Sequence, residues 1–488
     1  MRSYAFHVFR PTAALVALAS LLACGGGSSV SVLPAPVPAP APEEQRPQDA
    51  RVFVPVVEAT FAALAGSNVE TDRWTGVLSG AAYRIEVPKS GWNGRLVMWA
   101  HGFRGTGPSL TVDNPIMRRY LLDNGYAWAS SSYSKNYYDV RAGVEDTNLL
   151  ALNFATIAAA KGRVLATPSK IFITGVSMGG HITAAAIEAE AQVGAINKVK
   201  YSGAVPMCGV LGDTELFNYF AGYQVTAQQL AGVPISSFPT TDFAALTPTI
   251  QSALWSTFPT QTNAQGDRLK NVVMNLSGGA RPFYAEGWAN AGNQGNIFAS
   301  LGGDGAISGI LTQNVLDTTQ LFYKVDPTST ATTAVDTAFN ASAFKIKPTV
   351  DANRLRRDGL RWIPTTAGDI SIPVVSIHTL GDLFVPFKME QVYFDRVKAK
   401  GNDKFLVQRA IRDVGHCAFT AAEATTAFDD MVKWEAGGPK PAGDDIKTAA
   451  TLASPSYGCS ATKNTPSAED FTAPATRAAF QANYPACP

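Results

Sequence analysis

A serine flanked by glycines, Ser177 in the run GVSMG (175–179), is the residue whose setting best suits covalent chemistry. The nearly all-apolar run IFIT (171–174) precedes it, and an alanine-rich stretch follows it as far as residue 191. This order predicts a buried strand that turns sharply into a helix and exposes the serine hydroxyl on the turn. The helix N-terminus adds partial positive charge where an oxyanion would form. The five-residue pattern alone is weak, so the interpretation as a nucleophile depends on the flanking strand and helix.

Alternating strand and helix patterns surround this turn from about residue 80 onward. Such alternation predicts an α/β fold with a mostly parallel sheet and helices on both of its faces. Strands are expected at residues 82–87, 95–100, 126–131, 170–174, 372–380 and 405–409, and helices at 115–124 and 143–161. We expect the core of this fold to consist of residues 51–210 and 363–488.

Residues 211–362 interrupt the alternation. Gly, Thr, Asn, Pro and Ala dominate there, together with aromatic stretches such as LFNYFAGY (216–223) and RPFYAEGWANA (281–291). We interpret this segment as a cap or lid insertion over the core, largely helical with long loops. Its aromatic content suggests a substrate with apolar or aromatic parts.

With its strand, serine turn and helix in this order, the chain resembles the α/β-hydrolases. In that family the nucleophile is followed along the chain by an acid and then by a histidine. Downstream of Ser177, the segment HTLGDLFVPF (378–387) offers Asp382 just past a predicted strand, and RDVGHCAF (412–419) offers His416 after the next one. The resemblance implies that His416 takes the serine proton while Asp382 orients and stabilises the imidazole.

Other histidines and carboxylates of the chain could also fill these two roles. The remaining histidines are His7 near the N-terminus, His101 after another predicted strand, His181 in the predicted helix after Ser177 and His378 inside a predicted strand. Asp413 and Glu390 are the alternative acids; the first is expected to be structural and the second falls in a helix. His378 is expected to be a core or supporting residue.

The run RLVMWAHGFRGTG (95–107) carries a further resemblance to the same family. A strand followed by His-Gly is similar to the family's oxyanion loop, which implies that the Phe103 N–H stabilises the oxyanion. The residue after the nucleophile supplies the second donor, here the Met178 N–H. His101 is expected to orient this loop.

Four cysteines outside the N-terminal signal form an even set, which suits an oxidising compartment. Three pairings are open. We favour Cys459 with Cys487, both in the C-terminal tail, and Cys208 with Cys417. Cys208 ends a further predicted strand in KYSGAVPMCG (200–209), which would place it at the active-site edge of the sheet. Some tannase-like and feruloyl-esterase-like hydrolases join the histidine's neighbour to a cysteine beside the nucleophile, but here Val176 stands in that position. Without a CxxC or His-rich cluster, a metal site is not expected.

The N-terminus has the features of an export signal. Arg2 and Arg10 precede an apolar stretch (12–23) that is too short to span a bilayer. The end, LLAC (21–24), resembles a bacterial lipobox, which implies that Cys24 is lipidated, and Gly25 fits delivery to the outer membrane. We therefore expect a signal peptide over 1–24, a Pro-rich extended spacer over 25–50, and a cell-envelope or secreted protein.

Composition excludes some functions. The 40 basic and 39 acidic residues give a net charge of +1 without a basic run, so nucleic acid is not an expected partner. The expectation is a cofactor-free serine esterase acting on a small or oligomeric ester, with contact to a membrane only through the lipid anchor. Two alternatives stay open: a serine exopeptidase of the same fold, and a non-catalytic binding lipoprotein.

Overall fold

A computed structural model of the protein describes residues 43, 45–240, 242–303 and 307–487. The predicted lipidation site, Cys24, and most of the predicted spacer lie outside these ranges. Within them, no helix combines the length and the apolar character that a membrane span requires.

The described residues form twelve strands. They are β1 (Val54–Pro55), β2 (Thr71–Leu78), β3 (Ala81–Pro88), β4 (Arg95–Ala100), β5 (Ser109–Leu110), β6 (Ala127–Ser131), β7 (Lys170–Val176), β8 (Gly203–Met207), β9 (Trp255–Thr257), β10 (Gln261–Thr262), β11 (Val374–Thr379) and β12 (Leu406–Ile411). Eight of them make one sheet in the order β12-β11-β8-β7-β4-β6-β3-β2. The strands from β12 to β6 run parallel, whereas β3 pairs antiparallel with both β6 and β2. The predicted α/β class is confirmed, and the predicted strands match β3, β4, β6, β7, β11 and β12 closely.

Fourteen α-helices accompany the strands in the described ranges. They are α1 (Arg118–Asp123), α2 (Val140–Ala160), α3 (Met178–Ile187), α4 (Ala189–Gly194), α5 (Glu215–Leu230), α6 (Phe243–Leu254), α7 (Ala264–Leu276), α8 (Tyr284–Ala289), α9 (Ala291–Ser300), α10 (Ala334–Ser342), α11 (Lys388–Ala399), α12 (Ala421–Glu435), α13 (Ala449–Leu452) and α14 (Pro474–Gln481). Short 3₁₀ helices lie at Pro47–Ala50 and Asp403–Phe405. Between β8 and β11 the chain forms α5 to α10 and the small β9–β10 hairpin, where the sequence predicts the insertion.

Side chains of the central strands alternate between two apolar cores, as the pleat of a strand requires. On β4, Leu96 and Met98 join the core that includes α2 and α3, while Val97 and Trp99 join the core that includes α1 and α12. All four are at most 1% exposed. Because β7, β8 and β11 run parallel, their carboxyl ends lie at one edge of the sheet, where polar side chains can gather.

The segment just before the core differs from the spacer expected there. Arg46 and Gln48 are buried, and the Arg46 guanidinium pairs with Asp139 at 2.8 Å. The Gln48 amide donates to the carbonyl of Asn136 at 2.8 Å. A proline-rich composition predicts a solvated chain, but these two polar side chains find buried partners on the core, so this part of the segment packs against it.

Candidate active site

Ser177 occupies the turn between β7 and α3. Its backbone has φ 58° and ψ −122°, which lies outside the favoured regions of the Ramachandran plot for a residue with a side chain. Such a strained conformation persists only when the surrounding turn imposes it. Its N–H donates to the carbonyl of Met207 at 3.0 Å, and lies 3.3 Å from the Cys208 sulfur. Met178 is the first residue of α3, so its N–H has no acceptor within the helix and remains free for an anion.

The two glycines around Ser177 are required by space. A Cβ on Gly175 would lie 2.5 Å from the carbonyl oxygens of Ala100 and Gly179, and one on Gly179 would lie 2.0 Å from the Ala100 oxygen. No side chain fits at such distances. The strand, the turn and the His101 loop are therefore packed backbone against backbone, which fixes the position of the serine.

His416 and Asp382 converge on this serine. The His416 Nε2 lies 2.8 Å from Ser177 Oγ, and its Nδ1 lies 2.6 Å from Asp382 Oδ2. Asp382 is fully buried and its other oxygen accepts the N–H groups of Phe384 and Val385 at 2.9 and 3.0 Å. The three side chains thus form one connected line, the arrangement that lets a serine lose its proton to a histidine held in one tautomer.

The loop that carries His416 is fastened at several points. The Thr379 hydroxyl donates to the carbonyl of Gly415 at 2.8 Å. Asp413, one of the alternative acids, pairs with Arg477 of α14 at 2.9 Å and is buried. Asp413 thus connects the histidine loop to the C-terminal tail and does not face the serine.

The predicted oxyanion loop lies against the nucleophile. A Cβ on Gly102 would be 3.1 Å from the Ser177 Cβ, and Phe103 lines the same cavity as Ser177. The His101 Nδ1–H donates to the carbonyl of Gly102 at 2.7 Å, and the ring stacks on Tyr133 with 4.1 Å between centroids. Burial lowers the pKa of His101 to about 4, so the ring is neutral. It stiffens the loop without contacting Ser177.

Two disulfide bonds are present, Cys208–Cys417 and Cys459–Cys487. The first joins the end of β8 to the residue directly after His416. Because Cys208 also touches the Ser177 N–H, this bond ties the histidine loop to the immediate surroundings of the nucleophile. The residue before Ser177 is Val176, so no cysteine adjoins the nucleophile in the sequence. The cysteine in contact with it, Cys208, comes from the end of the adjacent strand β8.

Cys208, His416 and Cys417 are also the one compact group of potential metal ligands in the described part of the chain. Their two sulfurs are bonded to each other. Neither can act as a thiolate ligand in this state.

A cavity of about 410 Å³ opens beside Ser177. Aromatic rings from the oxyanion loop, the β6–α2 loop, α5 and the acid turn form much of its wall: Phe103, Tyr138, Phe217, Phe220 and Phe384. Asn296 and Ser300 of α9 add polar atoms, and each lining residue among those described is uncharged. The cavity therefore favours a neutral group with apolar or aromatic character. The aromatic run 216–223 was the sequence signal for two of these rings.

The remaining two core histidines have other partners. His181 in α3 contacts the Tyr138 hydroxyl at 2.9 Å and the carbonyl of Pro364 at 2.7 Å, and burial lowers its pKa. His378 on β11 lies behind Asp382, with its Nε2 2.7 Å from the carbonyl of Val385. Neither reaches Ser177.

The fold is defined by the sheet order, by the strand-to-helix turn at Ser177 and by the order of Ser177, Asp382 and His416 along the chain. The chain has the α/β-hydrolase fold, with a large insertion between β8 and β11.

Comparisons with known proteins add local and distant similarity. No family model matches the chain. A stretch of 66 residues is 35% identical to o-phthalyl amidase of Xanthobacter agilis, covering 14% of this chain and 15% of the amidase.

Solved structures that resemble the chain include feruloyl esterase B and another esterase, both of Aspergillus oryzae. The first has 15% identity and a TM-score of 0.39, over 81% of this chain and 87% of the other. The second has 12% identity and a TM-score of 0.41, over 76% and 80%. An acylaminoacyl peptidase of Pyrococcus horikoshii has 10% identity and a TM-score of 0.37, over 78% of this chain and 44% of the peptidase. This chain thus spans less than half of the peptidase's length.

Proposed function

We propose that the protein is a serine hydrolase that cleaves carboxylic esters through an acyl-enzyme. The observation that carries the proposal is the unbroken line from Asp382 through His416 to Ser177 at the wall of a neutral, aromatic cavity. This arrangement supplies an activated nucleophile and a place for the group that it attacks.

Acylation begins when Ser177 Oγ bonds to the ester carbonyl carbon and its proton passes to His416 Nε2. The carbonyl oxygen becomes an oxyanion, for which we assign the N–H groups of Phe103 and Met178 as donors. Asp382 stabilises the imidazolium and stays ionised itself. When the tetrahedral intermediate collapses, the C–O bond breaks and His416 gives its proton to the departing alcohol.

Deacylation repeats these steps with water. His416 takes a proton from the water as its oxygen attacks the acyl carbon, and the second tetrahedral intermediate expels Ser177 Oγ, which regains that proton. The products are a carboxylic acid and an alcohol. The free enzyme is restored without a cofactor.

The character of the cavity supports an ester with an uncharged apolar or aromatic group. An exopeptidase needs a charged side chain to hold the free terminus of its substrate, and the described lining residues supply none. The esterase is therefore favoured over the exopeptidase. Because the locally similar protein is named an amidase, an aryl amide belongs among the test substrates.

The proposal is tested with purified protein lacking residues 1–24. A panel of short-chain and benzoyl aryl esters, an aryl amide and aminoacyl anilides should give turnover on the esters first of all. Ser177→Ala should abolish it, whereas the control Ser252→Ala, at an exposed serine of α6, should leave it unchanged. Preference for aminoacyl anilides would support the exopeptidase. Binding of esters without turnover would support the non-catalytic protein.

We further propose that Cys24 is lipidated and anchors the protein in the cell envelope. The two disulfide bonds are consistent with an exported protein. Expression of the full chain in a Gram-negative host, followed by mass spectrometry of the N-terminal peptide, should find a lipid-modified Cys24. An unmodified peptide that begins elsewhere would contradict the anchor.

A further inference from the structure

A group of buried polar side chains lies directly behind Asp382, on the side away from the substrate cavity. His378 on β11 and Glu390 on α11 are both 0% exposed. Polar groups this deep destabilise a fold unless each is satisfied, so an apolar pair would be the simpler choice for the core. Their contacts explain why the site holds a histidine and a carboxylate.

His378 supports the turn that presents Asp382. Its Nε2 lies 2.7 Å from the carbonyl of Val385, and since a carbonyl only accepts, this nitrogen carries a proton. The N–H of the same Val385 donates to Asp382 Oδ1 at 3.0 Å. The His378 Nε2 is also 3.8 Å from Asp382 Oδ2, the oxygen that contacts His416.

Glu390 faces the other nitrogen of this ring. Its Oε1 lies 3.4 Å from His378 Nδ1, while its Oε2 accepts from the Ser376 hydroxyl at 2.6 Å and from the Gln408 amide. Both donors bind the oxygen that faces away from the ring. The carboxylate oxygen opposite Nδ1 favours a second proton on the ring, which makes His378 a cation between two carboxylates.

From this geometry we propose that His378 is a positioning residue for the acid of the active site. It holds the 382–385 turn in place and sets a positive charge behind Asp382, which keeps that carboxylate ionised and opposes the protonation of His416. The proposal rests on the hydrolase function given above and adds to it the groups that set the pH range of activity.

The electrostatic balance agrees with this. Burial acts to lower the pKa of His378, but the nearby carboxylates of Glu390 and Asp382 outweigh it, so the pKa is raised.

Three neighbouring titratable groups keep one protonation state over the assay range. Arg281 of the insertion donates to the carbonyl of Leu380 at 2.7 Å, and burial lowers its pKa only to about 10. Tyr219 of α5, which donates to the carbonyl of Leu383 at 3.0 Å, and Tyr457 of the C-terminal tail, which interacts with Glu390, have pKa values raised by burial.

His378→Gln is the main test, because the glutamine amide can still donate to the Val385 carbonyl but carries no charge. The pH dependence of fluorophosphonate labelling of Ser177 and of kcat/KM on an aryl ester is measured for both proteins. The acid limb of the pH–rate profile should move to higher pH by about half to one unit. A shift of this size is expected when a charge is removed that is separated from His416 by one side chain, Asp382. Glu390→Gln should move it in the same direction, because His378 then loses its anionic partner.

Asp395→Asn, at an exposed carboxylate on the same helix α11, is the matched control and should leave the profile in place. A profile unchanged in His378→Gln, or a rate lowered equally at every pH, would overturn the proposal. If the wild-type protein neither labelled nor turned over ester, the hydrolase function itself would be wrong, which is a separate outcome.

The unmodified protein provides a measurement that does not depend on any variant folding. Nitrogen-15 NMR of the imidazole side chains distinguishes a doubly protonated ring from a neutral one. His378 should have both nitrogens protonated at pH 7, and its signal is assigned by the slow solvent exchange expected of a fully buried ring. A neutral His378 ring at pH 7 would refute the charged arrangement.

Discussion

Removing the disulfide between Cys208 and Cys417 should separate its effect on stability from its effect on the active site. The bond closes a loop with a sequence separation of 209 residues, whereas Cys459–Cys487 closes one of 28. In the loop-entropy model these bonds stabilise the fold by at most about 5 and about 3.5 kcal/mol respectively. The two double variants, with alanine at both positions, form a matched pair.

The effects on catalysis should differ far more than the effects on stability. Cys417 adjoins His416, and the Cys208 sulfur touches the Ser177 N–H, so loss of this bond frees the histidine relative to the nucleophile. Fluorophosphonate labelling of Ser177 should slow by about tenfold or more, because small displacements of a catalytic group have large costs. The Cys459–Cys487 variant should label within about twofold of the wild type.

Urea unfolding measures the free energy for each variant, and labelling is measured where both remain folded. Equal labelling rates for the two double variants, at equal folded fraction, would refute the claim that Cys208–Cys417 positions His416. A normal rate in the first variant would show that hydrogen bonds alone hold the histidine loop.

Three further predictions concern packing, pH and specificity. Gly179→Ala should lower the free energy of unfolding, measured in urea, by about 3 kcal/mol or prevent folding, because its Cβ would lie 2.0 Å from the Ala100 oxygen. The control Gly295→Ala, in α9 with open space around it, should be neutral or stabilising in the same titration. Burial raises the pKa of Glu188 to about 7 from its ordinary 4.5, so its contribution to stability is full below pH 4.5 and is lost as the pH rises through 7. Glu188→Gln should therefore remove a decline of about 3 kcal/mol in unfolding free energy between pH 5 and 8, and an unchanged slope would contradict the assignment. Phe220→Ala should reduce the preference for benzoyl over acetyl esters in kcat/KM by about tenfold, and an unaltered ratio would mean that this ring does not contact the acyl group.

Local patterns in the sequence predicted the central strands and the serine turn, and the resemblance to the α/β-hydrolases then pointed to Asp382 and His416. Strands β4 and β7 are apolar runs that end at glycine-containing turns, so both their limits and the residues that follow them could be predicted. Ser177, Asp382 and His416 each follow a strand of the same parallel sheet. Parallel strands bring their carboxyl ends to one edge, and for that reason chain order was a good guide to the site.

Features that depend on contacts between distant segments could not be predicted. Strand β2 has an irregular alternation of buried and exposed residues and pairs only at the sheet edge, so its sequence gives little signal. The contact of Cys208 with the Ser177 N–H joins neighbouring strands, and the pairing of His378 with Glu390 joins a strand to a helix. The buried Arg46 was missed because its partner, Asp139, lies far along the chain.

The central claim is that Ser177 is the nucleophile, and a covalent adduct tests it most directly. Protein lacking residues 1–24 is treated with a fluorophosphonate and digested, and the modified peptide is sequenced by mass spectrometry. The account predicts one phosphonyl group, on Ser177, which is absent from Ser177→Ala and slow to form in His416→Ala. An adduct on a different residue, or undiminished labelling in Ser177→Ala, would contradict it.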